Sequence, residues 1–268
     1  MNLWKAFSCN LIGLGLACSA AAVNASTPSP AQSTISPHFG TLAGLVQLQG
    51  SDSLSAAFQT HEPTYLALVK SLLPETVAFT GNGLNQLDPA RLYFLYAYAP
   101  RVYFLYEETG AIDQLGVTIG SVGAPVTTGP ISGTPYTVFP SGRSCTDPLY
   151  SPGNGVRTST YPLYPGDFVQ LPTVTAGQQL GFCLANGVNS SGTPGTYNGQ
   201  SVIYYNGVSP LDNYQHMIAF FPDTTSQYII IGFEDWANGD QDCNDLVFVV
   251  DVGPQNAAAW RSSTGLPK

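Results

Sequence analysis

Positive charge is what this chain has least of. Its 268 residues hold 8 Lys and Arg against 17 Asp and Glu, a formal net charge of −9, and the 103 positions from Thr158 to Trp260 contain no Lys or Arg. A balance of that sign repels phosphate backbones and anionic headgroups, which excludes nucleic acid and an acidic membrane surface as expected partners. Charge of either sign is scarce, at 9% of the chain against roughly 25% in an average domain. No C-x-x-C pair occurs, so neither a zinc ribbon nor a dithiol redox centre is supported. The three histidines, His38, His61 and His216, show no ligand spacing, and this disfavours the softer metals. G-x-S-x-G, H-E-x-x-H and Walker motifs are missing as well, which argues against the common hydrolase and nucleotide-binding chemistries. Beyond the N-terminal stretch no run approaches the ~18 consecutive apolar residues of a bilayer span, and no transmembrane segment is expected.

What is abundant is turn chemistry and apolar surface. Gly and Pro number 28 and 21, hydrophobic residues make up 44% of the chain, and 15 Tyr and 13 Phe accompany them. Such a composition builds many short strands joined by tight turns around a substantial core. Residues 1–25 read as an export signal: Lys5 leads an apolar run from Ala6 to Val23, and Val23-Asn24-Ala25 suits cleavage before Ser26. Secretion to an extracellular or periplasmic location follows as the expectation. Cleavage would remove Cys9 and Cys18 and leave Cys145, Cys183 and Cys243 in an oxidising compartment, where one disulfide and one odd thiol is the simplest arithmetic.

Residues 26–38, rich in Ser, Thr and Pro, read as a flexible leader. Residues 39–91 form an N-terminal helical region: Leu42, Leu45, Val46 and then Tyr65, Leu66, Leu68, Val69 and Leu72 recur at three- and four-residue spacing, with Pro74 as a stop. From 92 to 253 short apolar runs alternate with Gly, Pro, Asn and Ser, which predicts a mainly β domain, an antiparallel β-sandwich, with a jelly-roll-like topology as one option. Residues 254–268 are left as a C-terminal tail. The tetrapeptide YFLY occurs twice, at Tyr93–Tyr96 and Tyr103–Tyr106, about a Pro-containing bend. Its rings either fill a β core, as pleated surfaces favour, or offer a platform on which sugars stack.

One segment concentrates the chemistry. Gly232 to Phe248 reads GFEDWANGDQDCNDLVF, with five carboxylates in a dozen residues: Glu234, Asp235, Asp240, Asp242 and Asp245. The flanking runs YIIIGFE and LVFVVD are strand-like, so the acids should crowd the loop of a hairpin. Carboxylates forced together raise one another's pKa until protons or a cation neutralise them. Ca2+ is the expected cation, because it accepts six to eight oxygen ligands in tolerant geometry. The candidate ligands are Glu234, Asp235, Asp240, Asp242, Asn244 and Asp245. Asp240-x-Asp242-x-Asn244 copies the start of an EF-hand loop, yet Asp245 stands where that loop requires Gly, and the apolar strand after it would carry Asp251 roughly 17 Å away. A plain Asx-rich turn with its acids in solvent is the competing reading.

The same residues resemble a domain of unknown function found in large secreted and cell-surface proteins of bacteria. Its closing signature is matched by G-F-E-D and G-D-x-D-x-N-D-L-V-F, on Gly232, Phe233, Glu234, Asp235, Gly239, Asp240, Asp242, Asn244, Asp245 and Phe248. VYFLYEETGAIDQLG and LGFCLANG resemble its opening and central strands, so the likeness runs from about Leu92 to Gly253. The resemblance implies a β-rich, calcium-binding extracellular module without established enzymatic activity. Cys183 and Cys243 stand where that pattern carries aromatics, and their joint replacement implies a Cys183–Cys243 disulfide, with Cys145–Cys183 as the rival. The expected function is therefore a secreted, calcium-stabilised, non-enzymatic module of the cell surface, the matrix or adhesion, its partners being glycans or surface proteins. The alternatives are a calcium-dependent glycan-binding domain and, less favoured, a carboxylate-dependent glycoside hydrolase.

Overall fold

A computed structural model describes residues 29–81, 85–121, 132–146 and 155–262; the export signal at 1–25 lies outside them. In chain order the elements are β1 (Thr41–Leu42), α1 (Ser53–Gln59), α2 (Glu62–Leu72), β2 (Asn85–Leu87), β3 (Leu92–Tyr93), β4 (Arg101–Tyr106) and β5 (Gln114–Ser121). They continue with β6 (Gly133–Phe139), β7 (Phe168–Gln170), β8 (Gln178–Ala185), β9 (Thr196–Tyr197), β10 (Gln200–Ser201) and β11 (Ile203–Tyr205). β12 (Met217–Phe221), β13 (Tyr228–Phe233), β14 (Leu246–Asp251) and α3 (Pro254–Ser262) complete the fold. One sheet has the order β1-β6-β5-β8-β11, with β3 also on β8, and the second runs β2-β12-β13-β14-β4-β7. The protein is mainly β, as expected.

The two sheets enclose the main core. Leu115, Val117, Phe182 and Leu184 from the first meet Phe104, Ile229, Ile231, Phe248 and Val250 from the second. The second sheet is buried on its other face too. Tyr103, Ile230, Val247 and Val249 point outward beneath Phe58, Tyr65, Val69 and Leu73 of the helical region. Burial on both faces explains why YIIIGF and LVFVVD are near-continuous apolar runs rather than alternating ones. Residues 39–91 are thus a cap on the sandwich that also lends strands to both sheets.

Helix α1 begins at a capping box, in which Asp52 Oδ1 accepts from the Ser55 N–H (2.8 Å) and Ser55 Oγ accepts from the Asp52 N–H (3.1 Å). Helix α2 starts with Pro63 in its first turn and ends at Leu73, before Pro74. The Leu42-Leu45-Val46 part of the helical pattern is not helix. It contributes β1, and Gln47 bridges Phe168 at a sheet edge, because the first helix-starting cap comes only at Asp52. Two further expectations are corrected. Part of the leader is packed, with Ala31 and Ile35 buried and Ser33 Oγ donating to Ser159 O (2.6 Å). The tail forms α3, whose Trp260 is buried against Phe94 at the end of the core.

The two YFLY copies fall in different sheets, because the bend between them carries the chain from β3 to β4. Of the six rings, Phe94, Tyr103 and Phe104 are buried, Tyr93 and Tyr106 are half-buried and Tyr96 is exposed, which supports the core reading for half of them. Among the described residues no helix is long and apolar enough to cross a membrane.

Neither disulfide forms: Cys145, Cys183 and Cys243 are all unbridged and buried. The reason is the parity of the strands. Phe182 and Leu184 enter the core, so Cys183 faces away from it, over Gly116 and beneath Phe39. Cys243 joins the cluster under the helices, on the outer side of the opposite sheet. The whole thickness of the sandwich separates the two thiols. Cys145 is occupied elsewhere, with its Sγ 3.1 Å from Leu163 O.

Candidate metal centre

Strands β13 and β14 pair antiparallel from Tyr228–Asp251 to Phe233–Leu246, and the acids lie in and beside the loop that joins them. Two close approaches fix its path. A Cβ on Gly232 would collide with the Cys243 carbonyl, and a Cβ on Gly239 would collide with Glu234 Oε1. Gly232 is therefore required by backbone packing, and Gly239 leaves the room that the end of the Glu234 side chain occupies. Asn238, Gln241 and Cys243 take positive φ of 58°, 66° and 60°, a conformation uncommon outside glycine that often marks functional sites. The alternation of Gln241 and Cys243 with their neighbours leaves Asp240, Asp242 and Asn244 on one side of the loop.

Five carboxylates meet there in two overlapping groups. Glu234, Asp242 and Asp245 each offer an oxygen within 4.8 Å of the others, and Glu75, Asp240 and Asp242 do the same. Asp242 belongs to both. Glu75 comes from the segment after α2, which is latched to the acidic loop. The Thr76 N–H donates to Asp242 Oδ2 (2.9 Å), the Phe79 N–H to Gln241 O (2.8 Å), and Asn244 Nδ2 to Leu73 O (3.2 Å) and Glu75 Oε2 (3.3 Å). The Asn244 N–H also donates to Asp242 Oδ1 (3.2 Å).

Asp235 is not in either group. Its carboxylate accepts from Thr109 Oγ1 and sits beside Asp113 and Asn186, while its N–H donates to Asp245 Oδ2 (2.7 Å). Among the sequence candidates the structure thus gathers Glu234, Asp240, Asp242 and Asp245, with the Asn244 amide against Asp242 (3.1 Å). It adds Glu75, for which the sequence gives no signal beyond its acidity. The contact depends on how α2 docks, and the two segments are far apart in the chain.

Electrostatics decide what the group can do. Two charged carboxylates at such separations repel by on the order of 3 kcal/mol at an effective dielectric near 20. Several such pairs would rival the entire ~5–15 kcal/mol stability of a domain. Burial, followed by the charges of Asp240, Asp235 and Asp242, pushes Glu234 up to about 8. Burial, with Asp240 and Glu75 adding, raises Asp242 to about 6. Asp245 is held well above the carboxylate range by burial and then by Asp235 and Glu234. The ion pairs of the described residues join Arg91 to Asp88, Arg101 to Asp52, Arg143 to Glu107, Arg157 to Asp167 and His216 to Asp212; none reaches these five acids.

Donors are missing as well. Glu234 is 1% exposed and its Oε2 has no hydrogen-bond donor, and Asn244 Oδ1 is buried in the same condition. Oxygens that are negative, clustered, buried and lacking donors fit a hard cation, for which carboxylates and amide carbonyls are suitable ligands. Histidine and thiol play no part in the cluster. His216, buried and stacked on Tyr204, donates from Nδ1 to Glu234 O (2.9 Å) and has Nε2 2.9 Å from Asp212 Oδ2. It is a satisfied core residue.

One of the comparisons with known proteins finds a match, and it covers this part of the chain. No curated protein and no solved structure matches it. Residues 174–253, from the approach to β8 through the end of β14, match the profile of a domain of unknown function, DUF4114.

Proposed function

We propose that this chain is a secreted, calcium-stabilised, non-enzymatic module serving the cell surface, the matrix or adhesion, in which one divalent ion fastens the acidic hairpin to the segment after α2. The observation that carries this reading is the pair of buried acceptors without donors, Glu234 Oε2 and Asn244 Oδ1, within a cluster that no Lys or Arg neutralises. Glu234, Asp242 and Asp245, with Asp240 and Glu75 at the outer edge, would hold the ion. Its role is structural, since it replaces mutual repulsion by shared attraction and joins elements remote in sequence. Hydrolysis by paired acids needs carboxylates facing across a bound substrate, whereas these carboxylates face one another within a hairpin.

The test is calorimetric titration of the metal-stripped protein with CaCl2, MgCl2 and ZnCl2 in parallel. Calcium is expected to bind with a Kd on the order of 0.1–1 mM, the range of extracellular modules, and more tightly than magnesium, whose strict octahedron five crowded acids do not supply. Absence of calcium binding at ten times that concentration would remove the reading.

A further inference from the structure

We infer that the cavity between the acidic hairpin and the β9–β10 hairpin is a binding site for the neutral pyranose ring of a sugar. The cavity has a volume of about 180 Å³ and is lined by Asn186, Gly195, Thr196, Tyr197, Asp235 and Trp236, among others, which is room for roughly six waters. It is a built feature of the fold. Asn198 and Gly199, both at positive φ (51° and 79°), turn β9 into β10, the backbone signature of a tight two-residue hairpin. Asn238 Nδ2 then donates to Tyr197 Oη (3.2 Å), tying the two hairpins together across the cavity. Asn186 is pinned by its backbone, its N–H donating to Val202 O (3.1 Å) and its carbonyl accepting from the Gly195 N–H (2.9 Å).

The walls specify the ligand. Trp236 is 62% exposed although its neighbours Asp235 and Ala237 are buried, and Tyr197 is half-buried beside it. Two aromatic rings at a small cavity suit a flat, weakly apolar face such as the C–H face of a pyranose. The polar side of the cavity supplies one donor and one acceptor. Asn186 is only 7% exposed; its Nδ2 stands beside the Asp235 carboxyl without a directed hydrogen bond to it. A buried amide left in that state calls for a partner.

Competing ligands fail on one group or another. An anion, including an acidic sugar, meets Asp235 with Asp113 and Glu234 close behind. An ammonium would satisfy those acids and stack on the rings, but it has no acceptor for the Asn186 amide. A hydroxyl both donates to Asp235 and accepts from Asn186, and a sugar presents several. The inference is separate from the cation reading, because the Asp235 side chain is held by Thr109 and not by the metal cluster.

The experiment is a titration of the purified protein, in saturating calcium, with glucose, galactose, mannose, N-acetylglucosamine and their methyl glycosides. Tryptophan fluorescence reports the exposed Trp236, Trp260 being buried, and calorimetry supplies affinities for wild type and variants. At least one neutral sugar is expected to bind saturably with a Kd on the order of 1 mM. Trp236→Ala should weaken it about tenfold, the equivalent of ~1.4 kcal/mol, with melting temperature and calcium titration unchanged. Asn186→Ala should weaken binding further. Equal affinity for the methyl glycoside identifies the end of a glycan chain as the source, and binding of the reducing sugar alone identifies a free saccharide; either result upholds the site. Silence from every neutral sugar at on the order of 50 mM, tetramethylammonium as the sole binder, or an unchanged affinity in Trp236→Ala would overturn it. The calcium titration on the same sample scores the cation reading on its own.

Discussion

The β13–β14 hairpin buries acids at both ends, and the two ends solve the problem differently. At the closed-off end Asp251 is 1% exposed, yet its oxygens receive the Tyr98 hydroxyl (3.0 Å), Gln227 Nε2 (3.1 and 3.0 Å) and the Gly253 N–H (2.9 Å). Burial still raises its pKa, but the donors from Gly253, Tyr98 and Gln227 pull it back. At the loop end Glu234 is equally buried and receives only the Trp236 N–H (3.2 Å), with Asp242 and Asp245 close by. Burial of a carboxylate is thus no sign of a metal. The sign is a shortfall of donors, and only the loop end shows it.

The contrast yields predictions that separate the ends. The largest effect should come from Asp251→Ala, which strands three donors in the interior and should cost about 3–5 kcal/mol, whether or not calcium is present. Denaturant melts in calcium and in chelator would show the same loss. At the other end Asp242→Asn keeps the shape and one of the two backbone hydrogen bonds, from Thr76 or from Asn244, since the second oxygen becomes an NH2 that cannot accept, and it removes the charge shared by both acid groups. Calcium affinity should fall more than tenfold by calorimetry, while the melting temperature in chelator holds or rises because repulsion has been relieved.

A pH scan sharpens the comparison further. Glu234 moves from its ordinary 4.5 to about 8 and Asp242 from 3.8 to about 6 on folding, so between those limits the folded chain binds more protons than the unfolded one. Stability therefore falls as pH rises. In chelator the melting temperature should drop from pH 5 to pH 8, and calcium, which favours the charged carboxylates, should flatten that slope. The smallest effect belongs to Glu75→Gln. An exposed outer ligand should weaken calcium only a few-fold in the same titration and leave the metal-free melting temperature unchanged.

Much of this was legible in residue order. Strand-like runs on either side of five acids and an Asn announced a crowded hairpin, and the absence of Lys or Arg over a hundred positions announced the missing counter-charge. What escaped is what depends on elements meeting from afar. Glu75 joins the cluster only because α2 lies over the second sheet, and Asp235 leaves it because Thr109 and Asp113 arrive from the turn between β4 and β5. The cysteines misled for a different reason. LGFCLA alternates, so once Phe182 and Leu184 face the core, Cys183 must face away, and the implied bond to Cys243 fails on strand parity alone. Ser- and Pro-rich residues near the start hid Ala31 and Ile35, and a short polar tail hid Trp260, because single apolar anchors leave no periodic signal.

The central claim is that the loop end of the hairpin is completed by a bound ion. Calorimetric melting of one preparation in 10 mM calcium and in chelator tests it directly. For a Kd on the order of 0.1–1 mM the native state should gain about 1.4–2.7 kcal/mol, a rise of roughly 3–10 °C for a chain of this size that Asp242→Asn diminishes and Asp251→Ala does not. Identical melting temperatures in calcium and in chelator for the wild-type protein would contradict the account.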